Sequence, residues 1–428
     1  MFDFRNRRPS RIVQKNVGKS LIRVLLCAAV AGASLTAGEP EALAFEANIR
    51  ARHAPYSMII DPWLAEPGSG VIEGYTRCGD SALFTGLYLG SQAYRYAVTH
   101  DPEARANVMD ALNGIRKLVD VTGTDVLARC AVPLDSPYLD WISSEEAPNT
   151  IRAGVVDGIP YMWVGNTSRD QYLGVFFGLT AAWNLIPETE VQAWVSMLAT
   201  RMLNRLMDDG WLVRMPEGDI TTTFLGRADH QLALLKLGRR CNPDRFEGAY
   251  KAIANLTAYS VPVPIALEVQ EPHDSYYKFC LDHIAFFNLL TSGDNWWIRH
   301  GYTNGFDLLR KTTDDHLNPF FDLIDTAING RDASRDERTR ASLRAYLQRP
   351  PQNTYVDLSG RYPPCLGRMD QTCQVIPVQD RVPADFLWQR SPFQLQGGVW
   401  PNIENSHLDY TLPYWMARFY GVLSADSE

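Results

Sequence analysis

The chain lacks the short signatures that most nucleotide, hydrolase and metal chemistries need. It has no Walker phosphate loop, no G-x-G-x-x-G after a strand-like run and no G-x-S-x-G elbow. P-loop, dinucleotide-binding and α/β-hydrolase readings are therefore excluded. No C-x-x-C or H-x-x-x-H spacing occurs, so neither a zinc centre nor any other cofactor is expected. Basic blocks are missing after the first 25 residues, and the net charge is −8. That balance argues against nucleic acid as a partner. No apolar run reaches the ~20 residues that a membrane span requires.

The N-terminus has the build of an export signal. Arg5, Arg7, Arg8, Arg11, Lys15, Lys19 and Arg23 precede the apolar stretch VLLCAAVAGASL, and Ala42-Leu43-Ala44 supplies an A-x-A site. We expect residues 1–44 to be a signal peptide, residues 45–428 a single domain, and the mature protein to be secreted or periplasmic. Export permits disulfides. Cysteines 78, 130, 241, 280, 365 and 373 then form an even set, with Cys365 and Cys373 the favoured pair across CLGRMDQTC.

Five segments in which an acid leads an aromatic and small-residue stretch dominate the rest. They contain Asp80 (GDSALFTGLYLGSQAY), Asp170 (SRDQYLGVFFGLTAAW), Asp229 (RADHQLALLKLG), Asp282 (SYYKFCLDHIAFFNLL) and Asp409 (LDYTLPYWMARFYG). Helices apolar on most faces are buried helices. Between them lie amphipathic stretches such as 102–122, 188–208, 243–259 and 296–312, which read as outer helices. Residues 45–75 read as irregular, 131–167 and 211–225 as β-excursions, and 350–406 as a proline-rich loop region. Gly86, Gly90, Gly174 and Gly178 stand at similar offsets after Asp80 and Asp170, where they permit close helix packing.

This alternation resembles the six-hairpin glycosidase superfamily over residues 75–423. The resemblance implies an all-α fold, an (α/α)6 toroid of six helical hairpins with long loops and small β-excursions. It also implies a carbohydrate substrate met at one end of the inner helices. Superfamily members include glycoside hydrolases, polysaccharide lyases and sugar epimerases.

Glycoside hydrolysis uses two carboxyl groups. Asp170 and Asp229 are the favoured pair, and Glu404 and Asp80 the replacements. Arg169, Tyr172 and Trp163 surround Asp170 in the sequence; Arg227, His230 and Gln231 surround Asp229. Trp400, His407, Asp409 and Tyr410 accompany Glu404, and Trp388, Gln389 and Arg390 are placed at the cleft mouth. Each acid also suits a helix-capping position. Lys278 and Asp282 have the spacing of a helical ion pair, His273-Asp274 form a candidate rim pair, and Trp296-Trp297 read as packing. A lyase or epimerase would use Tyr172 or His230 as base, with Arg169 or Arg227 neutralising a uronate. A non-catalytic glycan-binding protein is the further alternative.

Overall fold

The computed structural model describes residues 38–147, 150–270, 275–350, 353–365, 373–398 and 400–424. The chain begins with α1 (Glu39–Asn48), which runs into a π-turn over Ile49–His53, then β1 (Asp61–Leu64) and β2 (Ile72–Thr76). Next come α2 (Ser81–Thr99), α3 (Pro102–Asp120), β3 (Cys130–Pro133), α4 (Leu139–Glu145), β4 (Ile151–Val156) and β5 (Ile159–Val164). They are followed by α5 (Arg169–Leu185), α6 (Thr189–Asp208), β6 (Leu212–Arg214), β7 (Ile220–Thr223), α7 (Ala228–Cys241), α8 (Pro243–Thr257) and α9 (Pro262–Glu268). The last elements are α10 (Tyr277–Leu290), α11 (Trp296–Thr313), α12 (Pro319–Asn329), α13 (Ala333–Tyr346), β8 (Val356–Asp357), β9 (Gln396–Gly397) and α14 (Leu408–Phe419). The structure is mostly helical, as expected.

Two kinds of helix follow from two kinds of sequence. Helix α2 is buried without a break from Ser81 to Arg95, and α5 from Gln171 to Ala182. Helix α3 instead buries one stripe, with Val108, Ala111, Leu112, Ile115 and Val119 at helical spacing. Its start is set by Pro102 and by Asp101, whose side chain accepts the Glu103 N–H. The all-round apolar helices touch in succession: α2 with α5, α5 with α7, α7 with α10, α10 with α12, α12 with α14, and α14 with α2. The striped helices lie against them, α3 on α2, α6 on α5, α8 on α7, α11 on α10, α13 on α12 and α1 on α14.

Helices α2 and α5 pack backbone against backbone. A Cβ at Gly86 would lie 2.2 Å from the carbonyl oxygen of Gly174, and one at Gly178 would lie 2.1 Å from that of Gly86. Only hydrogen fits there, so the paired glycines act as the sequence suggested.

Short antiparallel sheets (β1-β2, β3-β5-β4, β6-β7 and β8-β9) lead into the inner helices. Strand β2 precedes the turn bearing Asp80, β5 precedes α5, and β7 precedes α7. The connections that carry the acids are thus built on rigid strand ends.

Two expectations change. The six cysteines make two bridges rather than three, Cys365–Cys373 as favoured and Cys78–Cys130, leaving Cys241 and Cys280 as free thiols. The N-terminal region is also more ordered than its irregular reading. A cut after Ala44 falls inside α1, where Ala42 and Glu46 are buried and Glu39 pairs with Arg418 of α14. The basic and apolar segments at 5–35 lie outside the described residues.

Candidate active site

The acids stand where the helices start. Asp80 immediately precedes α2, and Asp170, Asp229 and Asp409 are the second residues of α5, α7 and α14. Asp282 lies further in, in the second turn of α10. Asp80, Asp170, Asp229 and Asp282, together with Glu404, divide into three groups of different chemistry, and Asp409 stands apart from them.

The first group joins α2 to α5. The amide of buried Gln171 donates to Asp80 Oδ1 at 3.1 Å and to Asp170 Oδ2 at 3.4 Å. The two carboxylate oxygens are therefore no further apart than the sum of those distances. Ser168 donates to the other oxygen of Asp170. Arg129 ties the approach turns together. Its guanidinium donates to the Gly79 carbonyl at 2.7 Å, the Asn166 carbonyl at 2.9 Å and Ser168 Oγ at 2.7 Å, and it lies 3.7 Å from Asp80 Oδ1. Burial pushes the Asp80 carboxyl up to about 6, and the charges of Asp170 and Asp385 add to the shift. Asp385 itself is held below the usual range. Burial works against its ionisation, but Arg390, 3.1 Å away, and Arg77 outweigh it. A carboxyl raised towards neutral pH thus stands beside further carboxyl groups, an arrangement suited to acid–base work.

The second group is an enclosed ion-pair cluster. Arg227 holds Asp229 at 3.0 and 2.6 Å, Glu268 at 2.5 Å and Asp282 at 2.7 Å. Burial works against ionisation of Asp229, yet the two-pronged guanidinium keeps its carboxyl below the usual range. Burial and the charge of Glu268 raise Asp282 well above that range. His230 accepts from Arg227 at 2.7 Å, and burial pushes it down to about 3. Ligand atoms of Asp229, His230 and Asp282 lie within 4.8 Å of one another, as a metal site would need. The Nη2 of Arg227 already fills the space between them, so the cluster carries its own cation. Asp229, expected to be catalytic, is fully buried with both oxygens held by Arg227. Asp282 is engaged by Arg227 and Glu268 from other elements. Gln231 is half-buried on α7. Arg169 lies between this cluster and the first group. It donates to the Thr223 carbonyl at 2.8 Å and feels the charges of Arg227, Asp229, Glu268 and Asp170.

The third group surrounds Glu404. Its carboxylate accepts from Asn48 at 2.9 Å and Arg52 at 2.8 Å, and His53 lies 3.3 Å away. Behind it, fully buried His53 contacts Asp61 at 3.1 Å, and Asp61 pairs with Arg77 at 2.6 Å. Burial alone would depress His53, but its bonds to the two carboxylates raise it. Burial alone would raise Glu404, yet its donors hold it down at about 2. A carboxylate so firmly ionised is no proton donor at neutral pH. Arg52 and His53 sit on the π-turn after α1, a local irregularity that is frequent at functional sites.

Several expected substrate contacts are core residues. Tyr172 is fully buried and its hydroxyl accepts the Leu127 N–H at 3.1 Å. Trp163 donates to the Ala153 carbonyl, and Trp388 to that of Asp409. Asp409 is buried, accepts from the Leu387 N–H at 3.1 Å and is pushed up to about 7 by burial. Tyr410 stacks on Tyr414, and His407, pushed down to about 4 by burial, stacks on Phe45 at 4.2 Å. Aromatic composition alone does not separate a cleft wall from a packed core, and of these side chains half-buried His407 lines a pocket with Glu404. Trp400 is 52% exposed. Gln389 is half-buried and Arg390 exposed beside Asp385. His273-Asp274 lie outside the described residues. Trp296 and Trp297, read as packing, are 72% and 58% exposed.

Gln171, Arg129 and Asp385 join Asp80 and Asp170 in the first group, and no pattern in the sequence marks them; Asp385 stands three residues before Trp388.

No protein-family model matches the chain, and no curated protein or solved structure matches it.

Proposed function

We propose that this protein is an exported carbohydrate-active enzyme, a glycoside hydrolase of six-hairpin toroid architecture. The closed circuit of contacts from α2 round to α14 supports the architecture, as does the outer helix against each member. Tyr94, Leu185, Arg240, Thr291, Ala327 and Tyr420, all at or near the C-terminal ends of inner helices, line one pocket. The acids mark the opposite ends. Two disulfides accord with export, and no described helix is long and apolar enough to cross a membrane.

The observation that carries the chemistry is the Gln171 bridge between Asp80 and Asp170, with Asp80 poised near neutrality. Asp80 in its acid form protonates the glycosidic oxygen as it leaves. Asp170 activates water or attacks the sugar. The bridging amide keeps both groups in place, and the negative charge of Asp385 favours developing positive charge. The bound on oxygen separation admits a retaining site, where the carboxyl groups are about 5–5.5 Å apart, more readily than an inverting one at about 6.5–9.5 Å. Of the arginines named for the lyase or epimerase reading, Arg169 stays beside the first group, while Arg227 is taken up by Asp229, Glu268 and Asp282. That reading loses the bases named for it, since Tyr172 and His230 are enclosed.

A glycan digestion screen with wild type, Asp80→Asn and Asp170→Asn tests this function. Reducing ends released by wild type, with a loss of about 10²–10⁴-fold in each variant, are the expected result. Release that survives both substitutions overturns the assignment. New ultraviolet absorbance on a uronate polymer points to a lyase instead.

A further inference from the structure

Three tryptophans from distant parts of the chain meet beside the Asp80 turn. Trp63 lies on β1, Trp141 on α4 and Trp400 in the segment before α14. The Trp63 ring is 5.6 Å from each of the other two, with interplanar angles of 47° and 49°. They line an open pocket of about 430 Å³ with Thr76, Ser144 and Glu145. Trp141 is 38% and Trp400 52% exposed. Large aromatic faces left in water, concave and rimmed by polar groups, mark a ligand site rather than leftover core.

The rim narrows the choice of ligand. Glu145 accepts from the Thr76 hydroxyl and lies 3.4 Å from the Arg77 N–H. A carboxylate already serving two donors, beside an arginine, offers acceptor edges more than free negative charge. That favours a neutral polyhydroxylated ring, with its C–H face on indole and its hydroxyls at the rim, over a cation that needs an unopposed anion.

The pocket is tied to the acids. Thr76 ends β2, four residues before Asp80, so their Cα atoms are at most roughly 14 Å apart. Glu146 accepts the Gly79 N–H at 2.9 Å, and the Cys78–Cys130 bridge anchors the same turn. Gly74 belongs to this design. A Cβ there would meet the Trp141 ring at 2.4 Å, so the indole lies directly on the strand.

We infer that the Trp63–Trp141–Trp400 pocket is a pyranose-binding subsite that holds a sugar unit of an oligosaccharide at a distance from the reacting bond. The inference rests on the carbohydrate reading above. It makes the enzyme's preferred substrate a chain of several sugars. Binding remote from the chemistry favours long substrates over short ones.

The test is intrinsic fluorescence and calorimetric titration with cellohexaose, laminarihexaose, xylohexaose, chitohexaose and a galacturonate oligomer. Wild type, Trp141→Ala, Trp400→Ala and Trp400→Phe are compared, with Asp80→Asn as the catalytically impaired control. Trp400 contributes little core, so its variants separate lost binding from lost folding, which circular dichroism verifies. One oligomer bound by wild type and by Asp80→Asn, weakened tenfold or more by either alanine and partly restored by phenylalanine, is expected. Binding unchanged by both alanines overturns the subsite while leaving the Asp80–Asp170 assignment to turnover. No binding of any oligomer at 10-millimolar order, or quenching by tetramethylammonium alone, also overturns it. Tryptophan-dependent binding with no turnover of any glycan by wild type upholds the subsite and sinks the hydrolase reading.

Discussion

Helices α2 and α5 carry Asp80 and Asp170, and their separation is set by glycine. In Gly86→Ala the new methyl group lies 2.2 Å from a backbone carbonyl oxygen of α5. No rotamer change relieves that contact, so one helix must move. Overpacking of this kind costs about 1–3 kcal/mol, and more where backbone blocks backbone. The same substitution gains about 0.5–1 kcal/mol of helix stability. The net expectation is a loss of about 2 kcal/mol. Gly248→Ala is the control, because it lies on the exposed face of α8 with nothing within 4 Å of a Cβ. It should gain the propensity alone and stabilise by about 0.5–1 kcal/mol. In a chain of this length each kcal/mol moves the melting temperature by only about 1 °C. Calorimetry at matched scan rates should therefore place Gly86→Ala about 2 °C below wild type and Gly248→Ala slightly above it. Turnover should fall further in Gly86→Ala than stability alone explains, since the Gln171 bridge spans the displaced helices. A Gly86→Ala protein as stable as Gly248→Ala would refute the close-packing argument.

Other outcomes follow from the charges and bridges. Asp80 loses its proton as pH rises through about 6, so kcat/KM for a released glycan should decline above that pH, and a pH–rate profile of Asp80→Asn should lack that limb. Glu46 is fully buried, bonded to Gln92 at 2.5 Å and Trp415 at 3.1 Å, and raised to about 7 mainly by burial. The folded state then binds a proton that the unfolded chain releases nearer 4.5, so its contribution is present at low pH and lost as pH rises through about 7. Melting curves should show Glu46→Gln gaining on wild type between pH 5 and 8, by up to about 3 kcal/mol; a constant difference contradicts the shift. Replacing Cys78 and Cys130 by serine opens a loop of 52 residues, and denaturant titration should show a loss of about 4 kcal/mol. A protein that starts at Phe45 should melt below one that starts at Gly38, because Arg418 loses Glu39 and the buried Ala42 is removed.

The sequence by itself determined most of the long helices and their order. Full-face apolarity marked α2, α5, α7, α10 and α14, one-sided stripes marked α3, α6, α8 and α11, and the matched glycines marked the α2–α5 contact. Those are local signals, because a helix shows which faces it buries within a few turns of its own sequence. Asp80 and Asp170 were legible for the same reason, as acids at the head of buried helices. Tertiary structure decided which acids meet. Asp229 looks like Asp170 in sequence, yet Arg227 holds both its oxygens, while Gln171 joins Asp170 to Asp80 across 90 positions of chain. Asp385 and Arg129 arrive from loops whose course no periodicity encodes. Helix α1 was hidden because its sequence reads as processing signal until α14 packs on it. The three tryptophans at 63, 141 and 400 have nothing in common along the chain. They form a pocket because a β-strand, a short helix and a C-terminal loop end at one place, and only the folded packing brings them there.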